Sequence, residues 1–260
     1  MNSSLTYLEA VRRALREEME RDDRVLLMGQ DVGVLGGAFG ATAGLLHRFG
    51  AERVRDTPIS ESATVGVAVG LALEGLRPVV EMQFLDFLSS SWNMVVNWVA
   101  KARYRQGYAL PLVIRGPQGG GVGGGPFHSQ CLEGFLTHVP GLRVVAPATA
   151  RDALGMLKSA IRHEDPVVFL EHKYLYRRLR EDLPPEKEIL VPLDRAHTRR
   201  AGGDLVLVTW GAMVEVCLAA AERLQEREGV EAQVLDLRCL QPLDENALLE
   251  AARRAGRVLV

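Results

Sequence analysis

Short, nearly unbroken apolar runs, separated by longer stretches with helical spacing, constrain this chain more than any other feature. Val25–Met28, Pro78–Phe84, Leu110–Arg115, Leu142–Ala146 and Val167–Leu170 read as strands with no solvated face. Between them the spacing predicts helices near 61–75, 85–106, 131–138 and 150–162. A strand apolar on both sides must be covered on both sides. Strand–helix alternation achieves this with a mostly parallel sheet, so the expected class is α/β. Ahead of the first strand, Leu8, Val11, Ala14, Leu15 and Met19 lie on one side of a helix, with Thr6 and Glu9 placed for a capping box.

The alternation is interrupted once. From Glu181 to Asp204 the chain is proline-bearing, charged and weakly periodic, as an interdomain linker would be. We assign residues 1–185 to a first domain, 186–203 to the linker and 204–260 to a second domain. That second part predicts strands at Leu205–Thr209 and Val234–Asp236 around a helix at 213–228, and the chain stops at Val260 inside a strand-like run. Two or three strands make a poor sheet, so a truncated second domain is expected.

The 260 residues are 47% hydrophobic and 25% charged, as in an ordinary globular protein. A net charge of −2 gives no footprint for nucleic acid or an anionic membrane. No run is long and apolar enough for a signal peptide or a membrane span. Cys131, Cys217 and Cys239 are too scattered for a disulfide framework or a metal site. A reducing, cytoplasmic setting is the expectation.

Three segments can carry chemistry. In Asp56-Thr-Pro-Ile-Ser-Glu61, Pro58 ends a strand, Ser60 is placed to cap, and Glu61 opens a helix. The plain reading is a helix start that complements the dipole; the functional reading is a ligand-facing carboxylate at a strand–helix junction. Gly116 to Gln130 is a glycine-rich stretch bearing His128. It has no acidic residue at dinucleotide spacing, so it reads as backbone carrying a titratable ring past a ligand, or as a surface loop. At the end of the 78–84 run, Gln83 and Phe87 offer an amide and an aromatic face, or merely close a core. No nucleophile elbow, zinc helix or phosphate loop is present.

Taken in order, MGQDVGVLGGAFGAT, RVRDTPISES, GLRPVVEMQF, AKARYR, PLVIRGPQGGG, HSQCLEGFLTHVPGLRVVAP, SAIRHEDPVVFLEHKYLYR and VLDLRCLQPLD resemble the β subunits of pyruvate, branched-chain 2-oxo-acid and acetoin dehydrogenases. The resemblance implies a thiamine-diphosphate-binding, pyrimidine-type domain followed by a shortened transketolase C-terminal-like domain. It implies oxidative decarboxylation of a 2-oxo acid with acyl transfer to lipoyl groups, at a site shared with an α subunit in a heterotetramer of two α and two β chains. Glu61 would hydrogen-bond the aminopyrimidine ring nitrogen and share a proton with it. Phe87 would lie against that ring, with Ile59 and Gln83 beside it, and His128 would give a proton to the departing dithiolane sulfur. A structural potassium ion is implied at Leu112, Ala160, Ile161, His163 and Asp165. A lipoyl-bearing acyltransferase core is the second implied partner.

This chain departs from that pattern in several places. It lacks the GDG motif that holds the diphosphate through Mg²⁺; Gly203-Asp204 has none of the rest, so the α subunit must supply the metal site. Gln30 stands where the family carries an acidic residue, and an amide cannot relay a proton as a carboxyl does. His163 replaces an aspartate at the potassium loop. Asn93-Met94 replaces an Asp-Gln pair, and Trp98 a smaller polar residue. The expectation is an enzyme subunit active only with its α partner. An acetoin-cleaving dehydrogenase or a non-catalytic assembly subunit are the alternatives.

Overall fold

The computed structural model describes residues 3–184 and 188–260. In chain order the elements are β1 (Ser3–Thr6), α1 (Tyr7–Arg21), β2 (Val25–Gly29), α2 (Leu45–Phe49), β3 (Val54–Asp56), α3 (Glu61–Leu73), β4 (Arg77–Glu81), α4 (Ala102–Gln106), β5 (Val113–Gln118), α5 (Glu133–Thr137), β6 (Arg143–Val145), α6 (Ala150–Arg162), β7 (Val167–His172), α7 (Leu175–Arg178) and β8 (Arg180–Leu183). The second part continues with β9 (His197–Arg200), β10 (Leu205–Thr209), α8 (Met213–Glu228), β11 (Ala232–Asp236), β12 (Cys239–Gln241), α9 (Glu245–Ala255) and β13 (Val258–Leu259).

A seven-stranded sheet of order β12-β6-β7-β5-β4-β2-β3 forms the main layer, parallel throughout except where β12 joins β6. Its strands alternate between two cores. Val25 and Leu27 of β2, and Val167 and Phe169 of β7, face one side with α1 and α6. Leu26 and Met28, with Val168 and Leu170, face the other side with α3 and the 85–102 segment. Both faces are therefore covered, which is why these strands read as continuous apolar runs. The capping box that opens α1 is present: Glu9 N donates to Thr6 Oγ1 at 3.2 Å, and Thr6 N donates to Glu9 Oε2 at 2.8 Å.

Three segments differ from expectation in ways that shape the site. β4 ends at Glu81, and Met82 N still reaches Arg115 O at 2.9 Å before the chain turns away. The single helix expected over 85–106 is instead a 3-10 stretch (Leu85–Ser91), a π-helical turn (Met94–Val99) and α4. Serines 89–91 and the β-branched Val95, Val96 and Val99 are weak helix formers that leave room for this irregularity. β5 also starts later than expected and runs on through Gly116-Pro117-Gln118, paired with β7.

A boundary between residues 185 and 186 lies outside the described residues. Beyond it, Ile189, Val191 and Leu193 are buried in the α1–α6 core, where Gly155 of α6 lets Val191 approach. His197–Arg200 adds an edge strand to a second sheet, four-stranded rather than two- or three-stranded, of order β13-β10-β11-β9. Among the described residues no helix is long and apolar enough to cross a membrane.

Candidate functional site

The chain leaves β2 toward β3 on the α2 side and leaves β4 toward β5 on the opposite side. Adjacent parallel strands whose connections diverge open a crevice at their carboxyl ends, the place where ligands bind in open α/β sheets. Gln30 and Asp31 follow β2 at this crevice, and Gln83 and Phe84 follow β4.

Glu61 is brought to it by the turn between β3 and α3. Thr57 N donates to Gly29 O at 2.9 Å, and Asp56 accepts from Gly33 N at 2.6 Å and Val34 N at 3.2 Å. The turn and the loop after β2 are thus tied together. Ser60 precedes the helix, but its side chain makes no cap hydrogen bond, contrary to the role its position suggests. The half-buried Glu61 carboxylate instead accepts from Gln30 Nε2 at 3.0 Å. Gln30 therefore contacts the candidate acid directly, as a donor. Ile59 is 85% exposed.

Gln83 donates through Nε2 to Asp31 Oδ2 at 2.5 Å. Asp31 has φ of 59°, a left-handed conformation that aspartate tolerates better than most residues. Phe84 is the hub beyond it. Its ring centroid lies 4.5 Å from that of His128, 6.1 Å from Phe87 and 5.5 Å from Phe39, all edge-on. His128 also meets Phe87 edge-on at 5.5 Å. Four of the expected residues, Glu61, Gln83, Phe87 and His128, thus belong to one contact chain, with Gln30, Asp31 and Phe84 joining them along the strand ends. The face is open, for Phe127 beside His128 is 75% exposed.

Beneath the site, Arg115 of β5 is fully buried between Glu81 of β4 and Glu171 of β7. It donates to both carboxylates, including Nη2 to Glu171 Oε2 at 2.6 Å. Burial pushes Glu81 above the usual carboxylate range against the pull of Arg115. Tyr176 Oη adds a hydrogen bond to Glu171 at 2.7 Å. Neither this network nor Phe84 and Asp31 stands out in the sequence. A charged residue inside an apolar strand, as at Arg115, was the one signal available.

The expected potassium set does not fit an ion as placed. Arg77 Nη1 donates to Ile161 O at 3.1 Å and His163 O at 3.2 Å, and its Nη2 pairs with Glu164. Leu112 O accepts from Val167 N at 3.0 Å, Ala160 O from His163 N at 3.2 Å, and Asp165 pairs with Arg103. The Arg77 guanidinium already occupies the Ile161 and His163 carbonyls, so an ion ligated there would have to displace it. Among the described residues no group of three or more His, Cys, Asp or Glu side chains forms a metal site. Asp204 serves a turn, accepting from Glu231 N at 2.8 Å.

The covered parallel sheet, the crevice with its carboxylate, and the four-stranded domain behind it define a transketolase-type pyrimidine-binding domain followed by a transketolase C-terminal domain. Family models of those two descriptions match residues 3–178 and 194–260. The 2-oxoisovalerate dehydrogenase subunit beta of Bacillus subtilis is 47% identical over 260 residues, covering 99% of this chain and 79% of the relative. The pyruvate dehydrogenase E1 component subunit beta is 45% identical in Bacillus subtilis and 44% in Staphylococcus aureus (strain COL), with the same coverage. A solved chain described as "Split gene transketolase, inactive beta4 tetramer" shares the fold with a TM-score of 0.81 at 24% identity, covering 98% of this chain and 79% of that one. This chain belongs to the family of β subunits of the first component of 2-oxo-acid dehydrogenases, of the branched-chain and pyruvate type.

Proposed function

We propose that this chain works with an α subunit to decarboxylate a branched-chain 2-oxo acid or pyruvate and pass the acyl group to a lipoyl arm on an acyltransferase core. The observation that carries the reading is Glu61. Its carboxylate is not consumed in capping a helix but stands at the crevice, held from one side by Gln30. A carboxyl, neighbouring amides and the Phe84–Phe87 rings suit a flat aminopyrimidine with a ring nitrogen facing the acid.

The chain offers no matching cradle for a diphosphate: its sequence has no GDG motif, and Asp204 is engaged in a turn. We therefore assign Mg²⁺ and the diphosphate to the α subunit, and the pyrimidine end of thiamine diphosphate to this chain. The cofactor, when bound, supplies the nucleophilic carbon for attack on the 2-oxo group. Glu61 shares a proton with the ring nitrogen, Phe87 and Ile59 hold the ring, Gln83 fixes the loop through Asp31, and His128 donates a proton at the acyl acceptor.

The test is co-expression with the α subunit, thiamine-diphosphate binding, and 2-oxo-acid-dependent ferricyanide reduction across pyruvate, branched-chain acids and acetoin. Glu61→Ala should lower the rate by about 10²–10⁴-fold, the usual contribution of a general acid–base group. Gln30 favours one competing reading, a subunit kept for assembly, because an amide donates but relays no proton. An assembled pair that binds no cofactor, or a Glu61→Ala pair of unchanged activity, would sink the catalytic reading in its favour.

A further inference from the structure

We propose that Lys173 is a positioning residue: its buried ammonium, set against the Phe84 ring and balanced by the buried Asp86 without a direct ion pair, holds down the loop that carries His128. The functional consequence rests on the catalytic reading above, whereas the structural one does not. Lys173 is 3% exposed, and its Nζ has no hydrogen-bond partner among the described residues. Asp86 is also 3% exposed; its Oδ1 accepts from Gln130 N at 2.9 Å, and its Oδ2 has no partner among the described residues. A buried ion persists only when an opposite charge compensates it. Burial pushes the Lys173 ammonium below its usual range; Asp86, two residues after the Phe84 whose ring the ammonium faces, is the charge that opposes this most, ahead of Cys131, and His172 is the other titratable neighbour.

The backbone gives this pair its leverage. Lys173 N donates to Gln118 O at 3.1 Å, and Gly119 N donates to Gln130 O at 2.8 Å, so both ends of the 119–130 loop return to one point above Lys173. His172 and Tyr174 form the floor on either side. A Cβ on Gly119 would overlap the His172 ring, and one on Gly121 would lie 2.6 Å from Tyr174 Cδ2. The ammonium sits 5.6 Å from the Phe84 ring centroid, and the other neighbours of that ring include His128. Lys173 thus bears on His128 by two routes: through Asp86 and Gln130 to the loop base, and through Phe84 to the imidazole. It does not itself reach the open face.

The experiment uses the co-expressed assembly and two readouts. Hydrogen exchange of residues 119–130 reports the clamp without reference to activity. Ferricyanide-coupled decarboxylation against lipoyl acylation reports what the clamp does. Lys173→Met should speed exchange in the loop and lower lipoyl acylation about 100-fold, the scale of an ångström-sized misplacement, with decarboxylation little changed. Adding Asp86→Asn removes the stranded carboxylate but keeps the acceptor for Gln130, so the double variant should recover most of the loss. Lys173→Arg, which keeps the charge, should resemble the parent and serves if the methionine variant fails to fold. Unchanged loop exchange in Lys173→Met, or a double variant no better than the single ones, overturns the inference. An assembly with no 2-oxo-acid activity would overturn the function instead, and the exchange comparison would still decide this point.

Discussion

Asp236, at the end of β11, is 0% exposed and sits where the second domain meets the first. Its Oδ2 accepts from Arg199 Nε at 3.0 Å and Nη2 at 2.7 Å, and its Oδ1 accepts from Arg238 N at 3.0 Å. Asp152 of α6 takes the same two arginines, with Arg238 Nη1 at 2.8 Å. Burial raises Asp236 from 3.8 to about 6; Arg199 pulls it back only in part, and Asp152 adds like charge. A carboxyl raised in the folded state keeps its proton to higher pH than in the unfolded chain. Its stabilising contribution is therefore present at low pH, is lost as pH rises from about 4 to about 6, and is level above. The full difference is about 3 kcal/mol, of which about 2 kcal/mol falls between pH 4.5 and 7.5. Asp236→Asn has no proton to lose. Its stability relative to the parent should rise by about 2 kcal/mol over that interval, or about 4–8 °C in Tm for a chain of this size. Paired thermal melts across pH measure it. A difference that does not change with pH, or that moves against the variant as pH rises, refutes the reasoning.

Replacing Gly119 by Ala forces a side chain into the His172 ring at φ of +80°, a strain of about 1–3 kcal/mol; a lowered Tm and faster exchange in 119–130 are expected, and an unaltered loop would count against the close approach. The guanidinium of Arg77 on the Ile161 and His163 carbonyls predicts equal Tm in potassium, sodium and choline chloride; a rise specific to potassium would show that an ion displaces it. Gln30→Glu would set two carboxylates about as close as the present 3.0 Å contact. Like charges so near would hold one proton between them, so the pH–rate profile should gain an acidic limb; an unchanged profile would separate Gln30 from the proton chemistry of Glu61.

How much of this was legible beforehand depended on the range of the interaction. The near-continuous apolar strands and the Thr6–Glu9 capping box encode their structure within a few residues, and both are present as expected. The junction at Glu61 was legible as a place, but its helix-cap role was not settled there. Ser60 leaves its cap bond unmade, and the partner of Glu61 is Gln30, 31 residues away. The 85–106 helix failed for a similar reason. Its apolar spacing is helical, yet the segment packs against α3 and the sheet as a 3-10 stretch followed by a π-helical turn.

The sequence by itself determined the α/β class, the family, and the residues worth testing, because hydrophobic period and local motifs are properties of neighbouring positions. Tertiary structure alone decided what those residues touch. Only the strand order places the ends of β2 and β4 side by side with diverging connections. Only the packing of the chain after β7 against the glycine loop puts Lys173 on the Phe84 ring that His128 also meets. Charges such as Arg115, Asp86 and Asp236 acquire their meaning from burial and from partners far along the chain, and burial belongs to the assembled layers rather than to any single segment.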